Sequence, residues 1–235
     1  MNDSSLSMLQ SPELVAETQR NFIRKVFGWM TLGLFITTVG SFIMVFNPAL
    51  MNAMMARPWT FIILLFAELG LVVFLSAAIN RLSPAMAGVS FIVYAALNGI
   101  TLSVIFLVYE LSSIFETFLI CALMFAAMTI FGYTTKRDLT SFGSLLFMGL
   151  IGVVLAGLLN LFIQSSGLYW IVTIVGILVF VGLIAYDTQK LKNMSLGVSE
   201  GSEAQSKASI IGALALYLDF INLFLLLLRI FGRRK

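Results

Sequence analysis

Two aspartates, Asp187 and Asp219, stand in otherwise apolar segments near the end of the chain. A carboxylate at the centre of a membrane helix costs about 2.5–3.5 kcal/mol on insertion scales, so such residues pair, line a wet cavity or handle an ion. Asn222 follows Asp219 by one helical turn, which puts its amide on the same face. If the two segments meet, the carboxylates cannot both stay ionised in a poor solvent, and they titrate as a unit. Such a pair senses protons without histidine, and its oxygens also suit calcium, a hard cation. Asp187 and Asp219 are therefore the candidate pH sensor and the candidate calcium ligands.

Three further polar residues belong to this chemistry. Glu68 lies midway along the second apolar segment and Asn98 within the third. With Asn222 they are candidates for an ion pathway, although buried amides and acids also serve as hydrogen-bonding glue between helices. Arg81, just past the second segment, is the candidate cation for closing the inner end of a pathway. The chain has no histidine, so the usual switch near neutral pH and the commonest zinc and haem ligand are both missing. No resident cofactor is expected. Cys121, the single cysteine, sits in an apolar run and reads as a small buried side chain.

The elements that carry these residues must cross a membrane. Sixty per cent of residues are hydrophobic and 11% charged, against roughly 25% charged in a soluble domain. Seven segments are long enough to span about 30 Å of hydrocarbon. They lie near 26–46, 59–79, 85–108, 113–133, 142–163, 168–188 and 210–231. The fold class is thus an all-α polytopic membrane protein. It divides into a polar cytoplasmic tail (1–25), a seven-helix membrane domain (26–231) and a basic tail (232–235). No cleavable leader precedes the first segment, which Arg20, Arg24 and Lys25 introduce as an anchor. Lys190–Ser209 is Gly/Ser-rich and charged, and is expected to be a mobile loop. Gly149, Gly152 and Gly157 in the fifth segment, and Gly176 and Gly182 in the sixth, are expected at close helix contacts. Trp29, Trp59, Tyr109, Tyr169 and Trp170 are expected at the membrane interfaces.

Positive charge sets the orientation. With the N-terminus in the cytoplasm, the inner loops hold Arg20, Arg24, Lys25, Arg81, Lys136, Arg137, Lys190, Lys192 and Lys207, and the outer loops only Arg57. Seven crossings then put Arg229, Arg233, Arg234 and Lys235 outside, against the rule, so the last segment either crosses despite its charges or enters and returns to the inner face; the weight of the first helices favours seven crossings. A weak repeat at an offset of 53 residues aligns Gly132-Tyr133-Thr134 with Ala185-Tyr186-Asp187, suggesting two related hairpins.

Other chemistries fall away. No P-loop supports a nucleotide-driven pump, and basic residues confined to membrane flanks argue against nucleic-acid binding. Intramembrane aspartyl proteolysis is a weak rival: Leu216-Tyr217-Leu218 precedes Asp219 where such a site needs glycines. An enzyme is not expected.

The segment Ala213–Gly232, with Leu-Tyr-Leu-Asp-Phe-Ile-Asn-Leu-Phe at its centre, resembles the Bax inhibitor-1 (transmembrane Bax inhibitor motif) family. Ala185–Lys190, Asn98–Leu102 and Lys136–Leu139 extend the likeness over nearly the whole chain, in the manner of a bacterial inner-membrane member. The resemblance implies seven helices with the last one central in the bundle. It implies a pH-sensitive calcium leak, with Asp187 and Asp219 as a hydrogen-bonded latch and Arg81 the nearest match to an arginine that engages it. Glu68 matches an acidic position in the second span of relatives. The partners implied are the lipid bilayer, calcium as transported ion, and protons. The family also suggests an alternative: a non-conducting regulator of a membrane protease or of a stress or cell-death partner, acting through residues 1–19 and 193–208.

Overall fold

The computed structural model describes residues 12–235. Helix α1 spans Pro12–Phe46, α2 Pro48–Met55, α3 Pro58–Ala78, α4 Pro84–Leu102, α5 Ile105–Val108, α6 Leu111–Thr134, α7 Thr140–Ile163, α8 Ser166–Met194 and α9 Glu203–Phe231; a 3-10 turn, Ser195–Gly197, follows α8. All four prolines of the chain open helices, where the missing N–H costs nothing. Seven helical stretches are long and apolar enough to span a membrane, and each expected segment falls in one of them. Among the described residues the only strand-like pairing is a single antiparallel bridge between Tyr109 and Arg234. This is an all-α polytopic membrane fold. Large apolar side chains face outward, Phe66 at 69% and Phe162 at 86% exposure, as a lipid solvent permits.

Three boundaries differ from the hydropathy reading. Helix α1 starts at Pro12, so most of the polar tail is helical, and residues 1–11 lie outside the described part. Helix α8 continues to Met194 and α9 starts at Glu203, so the loop expected over 190–209 shrinks to 198–202. The cause is local. Ser202 caps α9, its Oγ accepting the Gln205 N–H at 3.0 Å, while Gln205 Oε1 accepts the Gly201 N–H at 3.0 Å. The arrangement is close to a capping box, with the returning bond taken from the residue before the cap. One turn on, Lys207 pairs with Glu203 at 3.3 Å.

The chain divides into two compact units, one running to Leu107 and including Leu191–Leu214, the other Val108–Lys190 with Ala215–Lys235. In the first, α1 packs on α4. Thr37 Oγ1 donates to the Ala95 carbonyl at 2.9 Å and Ser41 Oγ to the Gly99 carbonyl at 2.7 Å. A Cβ at Gly99 would overlap the Thr37 carbonyl, so only glycine allows this approach. Trp29 lies edge-on to Phe91 and over Gly88. The start of α9 is held here by Lys25 Nζ, which donates to Gln205 Oε1 at 2.7 Å.

In the second unit, α6 supports α9. Phe118 and Phe125 meet Phe220 edge-to-face at 5.4 and 5.5 Å, and the Cys121 thiol donates to the Phe220 carbonyl at 3.6 Å. Gly132 brings α6 against α8, since a Cβ there would overlap the Ala185 carbonyl. Gly149, Gly176 and Gly182 sit at close contacts with Val179, Leu226 and Leu146, as expected of them, whereas Gly152 faces open space and Gly157 has only ordinary contact with Val172. Burial concentrates in α9, where 72% of the most apolar window is enclosed, against 44% or less in every other span.

Candidate functional site: an aspartate pair on α8 and α9

Helices α8 and α9 each carry one acid of the site. Asp187 is not at the end of its helix but about two turns before it, and α9 begins two turns earlier than hydropathy suggests. Their side chains line one cavity, where the charge of each acts on the other. A bond between two carboxyl groups needs a proton on one of them, because an ionised carboxylate only accepts. Asp219 is buried, and its Oδ2 finds no hydrogen-bond partner. A buried acceptor left unpaired is costly and marks a place where water or an ion is expected.

Both acids line a cavity of about 610 Å³ whose other polar walls are Ser144, Tyr186, Lys190 and Asn222. Lys190, one turn after Asp187, is the cation whose charge acts on that carboxyl, and its ammonium stands 5.9 Å from the Tyr186 ring centroid. Asn222 donates from Nδ2 to the Leu218 carbonyl at 2.8 Å, which fixes its amide on the Asp219 face. A second cavity of about 450 Å³ is lined by Asn160, Tyr169, Asn222 and Arg229, among apolar side chains. Asn222 thus borders both cavities. At the far end of the second, the Arg229 guanidinium lies 5.3 Å over the Tyr169 ring.

The scaffold around Asp187 is held from two sides. Gln189 accepts the Leu139 N–H at 2.8 Å through Oε1 and donates from Nε2 to the Arg137 carbonyl at 2.8 Å. These bonds tie the turn before α7 to α8. Gly132, backing Ala185, sets the approach of α6 just before Tyr186 and Asp187.

The remaining sequence candidates fall in the other unit. Glu68 and Asn98 meet there: Asn98 Nδ2 donates to Glu68 Oε2 at 3.2 Å, and Thr101 Oγ1 donates to Glu68 Oε1 at 2.5 Å. All three are buried. Arg81 is exposed in the turn after α3 and makes no ion pair among the described residues.

A family model described as inhibitor of apoptosis-promoting Bax1 matches residues 19–235. The chain belongs to the Bax inhibitor family. The inner membrane protein YbhL of Escherichia coli K12 is 50% identical over 217 residues, covering 92% of this chain and 93% of that protein. A Rickettsia prowazekii protein is 42% identical over 219 residues, covering 93% and 92%, and one of Borreliella burgdorferi is 41% identical over 217 residues, covering 92% and 94%.

In this Bax inhibitor family chain, sequence reasoning passed over Lys190, Gln189 and Thr101 as members of polar clusters. Lys190 and Thr101 carried a signal, each one turn from a flagged residue on the same face. Gln189 carried none, because its partners are backbone groups of a distant turn. Among the described residues no three His, Cys, Asp or Glu side chains gather. Two carboxyl groups fall short of the roughly six to eight oxygens that calcium takes when held.

Proposed function

We propose that this Bax inhibitor family protein is a passive, pH-sensitive calcium leak, gated by the Asp187–Asp219 pair. One observation carries the reading. The half-buried Asp187 carboxyl and the buried Asp219 carboxyl line one cavity within reach of each other's charge, and Asp219 Oδ2 has no donor. Gaining or losing a shared proton changes the pair's charge by one, in a site where charge is expensive. That change biases a closed–open equilibrium of α9, the helix that holds Asp219. In this reading α9 is the central, moving helix, and Asn222 passes the ion between the two cavities. Lys190 is the cation that competes with calcium for Asp187. The Glu68–Asn98–Thr101 cluster is a second polar station.

The chain sits in a bacterial inner membrane, as the likeness to the E. coli protein suggests, with its N-terminus in the cytoplasm. Purified protein in proteoliposomes should pass calcium at a rate that changes across pH 6 to 8. Absence of flux at every pH, together with loss of a cellular phenotype on deleting residues 1–19, would favour the non-conducting regulator instead.

A further inference from the structure

The basic tail does not hang free. Helix α9 ends at Phe231, and the next four residues turn back along the segment that precedes α6. The Glu110 N–H donates to the Arg233 carbonyl at 2.9 Å and the Lys235 N–H to the Val108 carbonyl at 3.0 Å, flanking the Tyr109–Arg234 bridge. A Cβ at Gly232 would crowd the Tyr109 ring. The Arg233 N–H donates to Ser113 Oγ at 3.1 Å. Its guanidinium forks across three partners: Nε to Glu110 Oε2 at 3.1 Å, and Nη2 to Ser112 Oγ at 3.1 Å and Glu116 Oε1 at 3.2 Å. The planar fork suits this better than a lysine ammonium would.

These contacts fix one end of α9 to the start of α6. From Asp219 to Phe231 the helix is unbroken, a rod of about 18 Å. Cys121 and Phe118 of α6 grip the same rod beside Asp219, at Phe220. A rotation or slide of α9 that parts Asp219 from Asp187 must therefore strain or release the tail.

We propose that Arg233 is a positioning residue: with Glu110 and Glu116 it clasps the last helix and holds Asp219 in register with Asp187. The clasp deepens the leak reading and rests on it for its functional consequence. Its polar bonds lie at an exposed end of the unit, so added salt weakens it.

The test uses full-length protein in proteoliposomes with two readouts. One is calcium flux; the other is the pH titration of the Asp187–Asp219 carboxyl infrared band, identified by its loss in Asp219→Asn. Arg233→Ala should raise flux at the pH of the protonated pair by about two- to fivefold, the factor expected from losing an exposed ion-pair fork, and move the carboxyl midpoint. Arg233→Lys should fall between Arg233→Ala and the wild type. Arg233→Glu should be the leakiest, and adding Glu110→Lys and Glu116→Lys should restore it. Glu116→Gln, which leaves the backbone pairing intact, guards against misfolding of the alanine variant and should show a smaller shift of the same sign. The clasp is overturned if Arg233→Ala and Glu116→Gln both keep the wild-type midpoint. It is also overturned if the triple charge exchange behaves like Arg233→Glu alone, since tail charge and not the pairing would then matter. Wild-type protein that passes no calcium, yet shows the midpoint moving in Arg233→Ala, would sink the leak and keep the clasp.

Discussion

The aspartate pair was legible in the sequence because the hydrophobic background made each acid an outlier. The spacing of Asp219 and Asn222 also placed both on one face, and they line one cavity. What the sequence hid is how each acid is satisfied. Glu68 illustrates this: the sequence marks a lone buried acid, while the structure gives it two donors from α4. Replacing Asn98 by Leu or Thr101 by Val removes a donor from an acid that stays buried. Each change should cost about 1–2 kcal/mol, read as a lower midpoint of thermal unfolding in detergent. The double variant should cost less than the sum of the two, because both bonds serve one carboxyl. Strict additivity would mean that the three side chains do not form a cluster.

At the scale of elements, hydropathy located every span but misjudged their ends. Apolar runs report the part of a helix that meets lipid; they say nothing of polar turns beyond it. Helix α9 gains its first turns from the Ser202 cap and the Gln205 side chain that folds back to Gly201, a signal present in the sequence but masked by its Gly/Ser-rich surroundings. Helix α8 gains its last turns past Lys190, which sets Asp187 inside the helix rather than at its end. Glycines were legible as a class and not individually: Gly132, absent from the expected contact set, makes the close approach at Ala185, whereas Gly152 makes none. Gly132→Ala should cost about 1–3 kcal/mol, since backbone on both sides leaves nowhere for the methyl to go. Gly152→Ala should be neutral or slightly stabilising by the same unfolding assay. Equal effects at the two sites would contradict the packing described for α6 and α8.

For the molecule as a whole, the basic tail was the point at which two rules collided. Seven crossings put it opposite the N-terminus, and the positive-inside bias disfavours that. The structure pairs Arg233 with Glu110 and Glu116, and those carboxylates hold its guanidinium firmly in the charged form. Paired basic residues are a weaker topological signal than free ones, so seven crossings remain the reading. In a Cys121→Ala background, Ser199→Cys should react with an impermeant thiol reagent only from the cytoplasmic side, and Lys235→Cys only from the opposite side. Labelling of both from one side would mean that the last segment re-enters rather than crosses.

In the proposed leak, a proton shared by Asp187 and Asp219 sets calcium passage. Calcium flux through Asp219→Asn protein, reconstituted beside the wild type and followed from pH 6 to 8, tests it most directly. The wild-type rate should change severalfold across that range, and the variant, which keeps the shape of the pair but cannot exchange its proton at that position, should give a flat profile. A variant that reproduces the wild-type pH dependence would contradict the account.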